Sequence, residues 1–394
     1  MSDVLDQAIR EHRTGTLAVT TDPGAAVRVT QLGHEFWFGT TLNWGAAEKP
    51  ERRQDFERYL QTIEENFNSG VHEGALKWHS VEREPGKPDY RGADRILEWC
   101  EKHGLAMRGH CIFWAAEHYV PGWVKLLSEA ELRKAVERRA REVPRRYRGR
   151  IVEYDVNNEM THTANRFFRG RLGEEIAVDM FRWAQEEDPA AKLFLNEFDI
   201  LTGKRIDEYC RLIESMLDAG APVGGLGCQA HTFDEEGVDL DLVQRCLDRL
   251  GQYGLPIRIT EYGYGVKDPE DEQVQADGLR GFYRTCFAHR AVEGVLMWGF
   301  WRGRHWQKHH AIWREDWSLT PAAEAYRELV FGDWWTRWQG QADERGVCNV
   351  PAFFGRHRVQ VAGGASELDD ADSQRVAEVE LRRAEGTQAV ALKR

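Results

Sequence analysis

Eight short apolar segments, separated by longer amphipathic stretches, constrain the fold of this 394-residue chain more than any other feature. They lack strict alternation of apolar and polar residues, which is typical of parallel strands buried on both faces. The segments are 35–42, 74–78, 105–114, 151–159, 192–198, 223–231, 256–263 and 294–300. Eight strands, each followed by a helical pattern, predict an α/β fold of the (β/α)8 TIM-barrel type. An open doubly wound sheet is the alternative, although no GxGxxG follows an early strand.

The two ends of the chain predict additional β structure. TLAVT and AAVRVTQ flank Asp22-Pro23-Gly24, which predicts a β-hairpin near the N-terminus. After the last barrel helix, alternating segments separated by glycines predict a small β module, which the hairpin could join. We therefore divide the chain into an N-terminal hairpin segment (1–34), a barrel (35–331) and a C-terminal β module (332–394).

The composition restricts the partners. The formal net charge of −12 disfavours nucleic acid and anionic membranes, because an acidic surface repels polyanions. The seven cysteines are scattered and odd in number, and they form no CxxC or Cys/His ligand spacing, which predicts buried thiols. The first residues contain no apolar signal-peptide core. The sequence therefore leaves two locations possible: the protein is cytoplasmic, or it is secreted and its leader has been removed.

Polar and aromatic residues collect where the predicted strands end. The carboxyl ends of barrel strands form the active face of TIM barrels, so we expect these side chains to meet. They are Lys77, Trp78, His110, Trp114, Asn158, Glu159, Asn196, Glu197, Gln229, His231, Glu261 and Trp298. We expect no cofactor and no metal there, with a divalent ion on Glu159, Glu261 and His231 as the alternative.

Two carboxylates at a barrel mouth rich in tryptophan suit the cleavage of a glycosidic bond. One carboxyl group protonates the leaving oxygen and the other attacks the anomeric carbon. The fifteen tryptophans of the chain supply either core packing or flat surfaces for sugar rings. Glu159 and Glu261 could instead form ordinary salt bridges. Both follow buried strands, where an unpaired charge is costly, and this favours a chemical role.

Six ordered motifs between about residues 35 and 330 resemble glycoside hydrolase family 10, whose best-known members are endo-β-1,4-xylanases. YDVNNE (154–159) resembles the acid/base signature WDVVNE, with Tyr154 in place of Trp, and ITEYG (259–263) resembles the nucleophile signature ITELD. GHCIFW (109–114), GLGCQAH (225–231), VLMWG (295–299) and EGALKW (73–78) resemble four further motifs of that family.

The resemblance implies a retaining mechanism and a role for each matched residue. Glu159 is the implied acid/base and Glu261 the implied nucleophile. Asn158 would bond the 2-hydroxyl of the sugar in the −1 subsite, and His231 would hold Glu261. The remaining implied substrate-binding residues are Glu73 for the −2 sugar, with Lys77, His110, Trp114, Glu117, Gln229, Trp298 and Trp306. The implied partner is a β-linked oligo- or polysaccharide, most simply xylan, and the C-terminal module is either structural or a second sugar-binding surface.

Two positions depart from the family pattern. The family's glycone-side Asn is Gly74 here, and its Gln after the GHTLVW motif is Glu117. Both family residues bond sugar, so the departures leave three hypotheses open. The protein is xylanase-like, or it is a glycosidase of the same mechanism that acts on a hexose-containing or decorated β-glycoside, or it is a non-catalytic sugar-binding protein.

Overall fold

The computed structural model describes residues 2–44, 53–232, 238–266, 271–362 and 374–393. Part of the predicted C-terminal module, residues 363–373, therefore lies outside the described residues. The strands are β1 (Thr14–Thr20), β2 (Ala26–His34), β3 (Trp37–Leu42), β4 (Ser69–His72), β5 (Ala106–Gly109), β6 (Phe113–Trp114), β7 (Glu153–Asn158), β8 (Lys192–Glu197), β9 (Gly225–Thr232), β10 (Ile257–Tyr264), β11 (Val292–Met297), β12 (Arg337–Gln341), β13 (Val347–Phe353), β14 (Gly355–Ala362), β15 (Gln374–Leu381) and β16 (Thr387–Ala391).

The helices lie mainly between the barrel strands. They are α1 (Ser2–Arg13), α2 (Arg53–Asn66), α3 (Trp78–Val81), α4 (Arg91–Lys102), α5 (Gly122–Lys125), α6 (Glu129–Arg146), α7 (Phe167–Leu172), α8 (Glu175–Glu187), α9 (Ile206–Asp218), α10 (Leu240–Gly251), α11 (Glu272–Ala288) and α12 (Pro321–Glu328). Helix α6 begins with a capping box, in which Ser128 and Glu131 satisfy each other's backbone N–H groups. No helix in the described ranges is both long and apolar enough to cross a bilayer.

Eight parallel strands close into a barrel, which confirms the predicted fold. The ring runs β5-β4-β3-β11-β10-β9-β8-β7, and the pairing of β5 with β7 closes it. Every residue of β7 and of β10 is buried. Burial on both faces explains why these segments show no alternation in the sequence. The carboxyl ends of all eight strands consequently share one rim.

The structure corrects two of the predicted barrel strands. The second strand is β4 (Ser69–His72), and the predicted strand 74–78 instead forms a turn that leads into α3. The backbone N–H of Lys77 bonds the carbonyl of Gly74, and Trp78 Nε1 donates to Glu82 at 2.9 Å. Leu76 and Trp78 are thus buried in a turn and short helix that follow β4, not in a strand. The predicted strand 105–114 is divided into β5 and the two-residue β6.

Two compact units make up the described chain. One comprises residues 38–286 and 291–323 and holds the barrel; the other comprises residues 1–37, 287–290 and 324–394. The second unit, here called the β unit, contains the sheets β13-β1-β16 and β12-β2-β14-β15 and the unpredicted helix α1.

The predicted N-terminal hairpin is wrong, although its two strands and its turn exist. Asp22 accepts a hydrogen bond from Ala25 N, which closes the turn. Strand β1 pairs antiparallel with β13 and parallel with β16, whereas β2 pairs antiparallel with β12 and β14. The chain therefore crosses from one sheet to another at this turn, as in a β-sandwich. Local turn residues do not distinguish such a crossing from a hairpin.

Candidate active site

Glu159 stands at the carboxyl end of β7 on an unusual backbone. Its φ is 58°, in the left-handed region that non-glycine residues rarely adopt. Its backbone N–H donates to the carbonyl of Asn196 at 2.9 Å, which fixes the turn against the end of β8. Strained backbone of this kind is concentrated at functional sites, where surrounding contacts hold it in place.

Three side chains hold the carboxylate of Glu159. Trp114 Nε1 donates to Oε2 at 3.0 Å and Gln229 Nε2 donates to Oε1 at 2.9 Å. Asn165 Nδ2 donates to Oε2 at 3.1 Å and also to the backbone carbonyl of Glu159. The sequence indicated Trp114 and Gln229 from their places at strand ends. It did not indicate Asn165, which lies in a loop without periodicity.

Glu261 lies in β10 and is 5% exposed. Its Oε1 accepts from Asn196 Nδ2 at 3.0 Å, and its Oε2 is 3.2 Å from His231 Nε2. Burial raises the pKa of Glu261, but the hydrogen bond from His231 and the electrostatic interactions with His110, His231 and Lys77 outweigh it, so the pKa lies below its usual value. Glu261 is therefore held in its ionised form.

Asn196, at the end of β8, joins the two sides of the site. Its Nδ2 donates both to Asn158 Oδ1, at 2.8 Å, and to Glu261, and its Oδ1 accepts from Thr260 Oγ1 at 2.6 Å. Because Asn158 accepts through its oxygen, its own amide nitrogen is left as a donor. The strand-end rule pointed to Asn196, but the predicted site did not include it.

A buried ion-pair network lies below these residues. His110 Nδ1 is 2.8 Å from Asp155 Oδ2, and Arg108 bonds both Asp155 and Glu153. Arg258 also bonds Glu153, at 2.8 Å. All five side chains are at most 5% exposed. The network fixes the orientation of the His110 ring, since one of its nitrogens is bound by Asp155.

Aromatic rings and Lys77 line the rim. Trp298 meets His110 edge to face at 5.0 Å between ring centres, and Trp306, 55% exposed, lies 5.5 Å from His231. Trp114 stacks on Tyr119 at 3.8 Å, and Lys77 Nζ is 4.7 Å from the centre of the Trp114 ring. The predicted residues Lys77, His110, Trp114, Trp298 and Trp306 thus lie around the two carboxylates.

A pocket beside this rim is lined by Glu73, Trp298 and Trp306 together with Arg304 and Asn43. A Cβ built on Gly74 meets no atom within 4 Å, so the space of the family's Asn is open. Glu117 begins a 3-10 turn, is exposed, and has no hydrogen-bond partner for its carboxylate in the described part of the chain. The structure therefore does not join Glu117 to the other predicted residues.

Glu197 is a third buried carboxyl group near Glu159. It is 1% exposed, and its oxygens meet Thr161 N at 2.7 Å and Thr161 Oγ1 at 2.8 Å. Burial is the main cause that raises the pKa of Glu197 to about 8. Glu197 is therefore protonated at neutral pH. The sequence placed it at a strand end without indicating its burial.

No group of three or more His, Cys, Asp or Glu side chains in the described ranges is arranged to hold a metal ion. Glu159, Glu261 and His231, the alternative metal ligands, accordingly form no such group. All seven cysteines are buried and unpaired. The arrangement of the rim is that of two differently held carboxylates among amides and aromatic rings.

The chain matches a known family over the barrel, and individual relatives match a larger share of it. A model described as Glycosyl hydrolase family 10 matches residues 35–328. The chain is 38% identical over 339 residues to the anti-sigma-I factor RsgI6 of Acetivibrio thermocellus, covering 86% of this chain and 42% of that protein. It is 33% identical over 369 residues to endo-1,4-beta-xylanase 1 of Arabidopsis thaliana, covering 91% of this chain and 37% of that protein. The chain spans less than half the length of these relatives.

Solved structures match the barrel fold. Native xylanase 10B from Thermotoga maritima superposes with a TM-score of 0.68 at 24% identity, over 76% of this chain and 96% of that chain. Xylanase 10B from Thermotoga petrophila RKU-1, solved in complex with xylobiose, has a TM-score of 0.68 at 24% identity, over 76% and 95%. At this identity the likeness concerns the fold.

Proposed function

The chain belongs to glycosyl hydrolase family 10, and on this premise we propose that it is a retaining glycoside hydrolase that cleaves β-1,4-linked xylan or xylo-oligosaccharides. The single observation that carries the proposal is the different environment of the two carboxylates. Glu261 is ionised and bonded by His231 and Asn196, whereas Glu159 is bonded by Trp114, Gln229 and Asn165. A retaining glycosidase needs one carboxylate and one carboxylic acid at such positions.

In the first step, a Glu261 oxygen attacks the anomeric carbon. The bond from that carbon to the leaving oxygen breaks, and Glu159 gives its proton to this oxygen. The product is a glycosyl ester on Glu261 and a released sugar with a free hydroxyl group. The depressed pKa of Glu261 keeps the nucleophile ionised.

In the second step, water attacks the anomeric carbon of the ester. Glu159, now a carboxylate, takes a proton from this water, and the bond to Glu261 breaks. Both carboxylates return to their starting protonation states. Two inversions at the same carbon preserve the β configuration.

Asn158 and His110 support the sugar in the reacting position. The Asn158 amide oxygen is engaged by Asn196, so its nitrogen is available to donate to the 2-hydroxyl. This hydrogen bond strengthens in the transition state of retaining enzymes. His110 and Trp298, which touch each other, provide the polar and apolar walls for the same sugar.

A second candidate keeps the mechanism and changes the sugar. The open space at Gly74 fits a glycone larger than a pentose, such as a hexopyranose or a decorated xylose. The third hypothesis, sugar binding without catalysis, predicts no turnover on any glycoside. A panel of aryl β-xyloside, xylobioside, glucoside and cellobioside, with polymeric xylan, separates the three.

Two carboxylate variants test the mechanism. Glu261→Ala should lower kcat on the order of 10⁴-fold or more, and azide should restore turnover with a product of inverted configuration. Glu159→Ala should impair substrates with poor leaving groups far more than activated aryl glycosides, because the latter need no proton. The exposed Glu98→Gln serves as the control for a lost carboxylate. An α-configured product from the unmodified enzyme overturns the retaining mechanism.

A further inference from the structure

We infer that Arg304 is a specificity-determining residue, which together with Glu73 binds a neutral sugar next to the one that is cleaved. The inference rests on the proposed function and assigns a residue to the glycone pocket. Glu73 would accept a hydrogen bond from one hydroxyl group of this sugar, and the Arg304 guanidinium would donate to a neighbouring oxygen. The ligand class is a pyranose with a free vicinal diol.

The first observation is the state of the Arg304 side chain. It lines the pocket with Glu73, and its Nη1 is buried without a hydrogen-bond partner in the described residues. A buried guanidinium N–H without a partner is costly, because it has lost its hydration and gained nothing. A ligand oxygen in the pocket would satisfy it.

The second observation is that the two opposite charges of the pocket do not neutralise each other directly. Within the described residues, no ion pair or side-chain hydrogen bond of Glu73 or Arg304 is found, although both lie near Tyr59 and affect its pKa in opposite directions. Burial lowers the pKa of His305 to about 3, so this neighbouring ring is neutral. An acceptor and a donor thus line one pocket and remain free for a molecule between them.

The third observation concerns the aromatic side chains that line this pocket. Trp298 and Trp306 line the same pocket, and indole faces pack against the C–H face of a pyranose. Gly74 leaves open the space of the family's amide donor. Arg304 supplies a donor from the loop after β11, which compensates for the donor that Gly74 lacks.

The charge balance distinguishes a diol from an acidic sugar. A carboxylate placed between these side chains would meet the cation of Arg304 but also the anion of Glu73. A diol satisfies both, since a hydroxyl group donates to a carboxylate and accepts from a guanidinium. We therefore assign a neutral sugar to this pocket.

Arg304→Met tests the assignment, because Met keeps the length and removes the donors. Aryl β-xylobioside places a sugar beyond the cleaved one, and aryl β-xyloside does not. The kcat/KM for the xylobioside should fall at least about tenfold more than that for the xyloside, which is typical of losing a hydrogen bond from a charged group. Arg304→Lys should recover part of the loss. Lys308→Met, which removes an exposed cation from the same loop, is the matched control.

A double-mutant cycle with Glu73→Gln extends the test. If both side chains hold the same sugar, the combined loss on the xylobioside should be smaller than the product of the single losses. Equal losses on both substrates, or none, would overturn the role of Arg304 while the proposed function stands. If activity fell only on uronic-acid-substituted oligosaccharides, the ligand of the pocket would be a sugar carboxylate and the assignment of a neutral diol would be wrong. An unmodified enzyme inactive on every substrate would refute the proposed function itself.

Discussion

The barrel and the β unit bury different chemistry. The barrel encloses charged and amide side chains that are almost fully buried, such as Arg108, Glu153 and Asn196. The core of the β unit is a cluster of small and branched apolar residues: Leu17, Val19, Ala25, Val27, Val29, Ala342, Cys348, Val350, Ala352, Phe354, Val359, Val361, Leu381 and Val390. Burying polar groups costs free energy unless each is paired, whereas apolar burial stabilises directly. The comparison teaches that the buried polar groups of the barrel depend on being paired with one another, whereas the core cluster of the β unit is stabilised by apolar burial.

The known relatives also differ in whether their similarity to this chain is limited to the barrel. The solved structures cover 76% of the chain, about the share that residues 35–328 represent. The relatives from Acetivibrio and Arabidopsis cover 86% and 91%. Their similarity therefore extends beyond the barrel. The following predictions test the division between a barrel that holds the polar site and a β unit built on an apolar core cluster.

The largest effect on stability is expected for Leu17→Ala in the β unit. Leu17 is fully buried at the centre of β1, so the cavity should lower the free energy of unfolding by about 2–5 kcal/mol. Urea unfolding measures this, with the exposed Thr387→Ala as control, for which about 0.5 kcal/mol or less is expected. The kcat of the folded variant should equal that of the unmodified protein. If the fully folded Leu17→Ala variant had a lower kcat, the β unit would influence catalysis and the division between the two units would not hold.

The next effect is the pH dependence of stability that Glu197 causes in the barrel. Between about pH 4.5 and 8 the folded protein keeps a proton that the unfolded chain releases, so stability falls as the pH rises through this range. The loss is on the order of a few kcal/mol. Glu197→Gln should remove this slope, as urea unfolding at pH 5 and pH 8 would show. An unchanged slope, equal to that of the control Glu98→Gln, would contradict the raised pKa.

A smaller effect is expected for the pH profile of His231→Ala. The hydrogen bond from His231 opposes the burial that raises the pKa of Glu261, so its loss should raise that pKa. Because the nucleophile must be ionised, the acidic limb of kcat/KM should move to higher pH. The exposed His309→Ala should leave the limb in place. A limb that does not move in His231→Ala would exclude this coupling.

The smallest effect is expected where the chain departs from its family. Gly74→Asn together with Glu117→Gln restores the family pattern and should raise kcat/KM on xylan several-fold, the effect of about one neutral hydrogen bond. The open space at Gly74 accommodates the new side chain. Each single variant shows which position contributes. If the unmodified protein already degrades plain xylan with a kcat on the order of 10 s⁻¹, the departures at Gly74 and Glu117 do not limit its activity on xylan.

The sequence predicted the barrel and most of its rim, because both follow from the general properties of buried parallel strands. Parallel strands buried on both faces gave a recognisable apolar pattern, and their shared carboxyl ends brought Glu159, Gln229, His231 and Glu261 together. Asn165 and Arg304 were missed because they lie in loops, where no periodicity marks a side chain. The hairpin failed because pairing partners distant in sequence, not the turn, decide which sheet a strand joins.

The arrangement of β1 has a consequence for the order in which the protein acquires its shape during synthesis. This strand, residues 14–20, lies between β13 and β16, and its parallel partner is residues 387–391. Since β16 follows β1 in the chain by most of the barrel and the β unit, β1 is synthesised well before its parallel partner and must wait for it. The barrel strands find their neighbours sooner, because most of them pair with the next strand along. Both edges of β1 stay unpaired until β13 is made, and one edge stays unpaired until β16 is made. A chaperone or an aggregating neighbour has access to the strand during this interval.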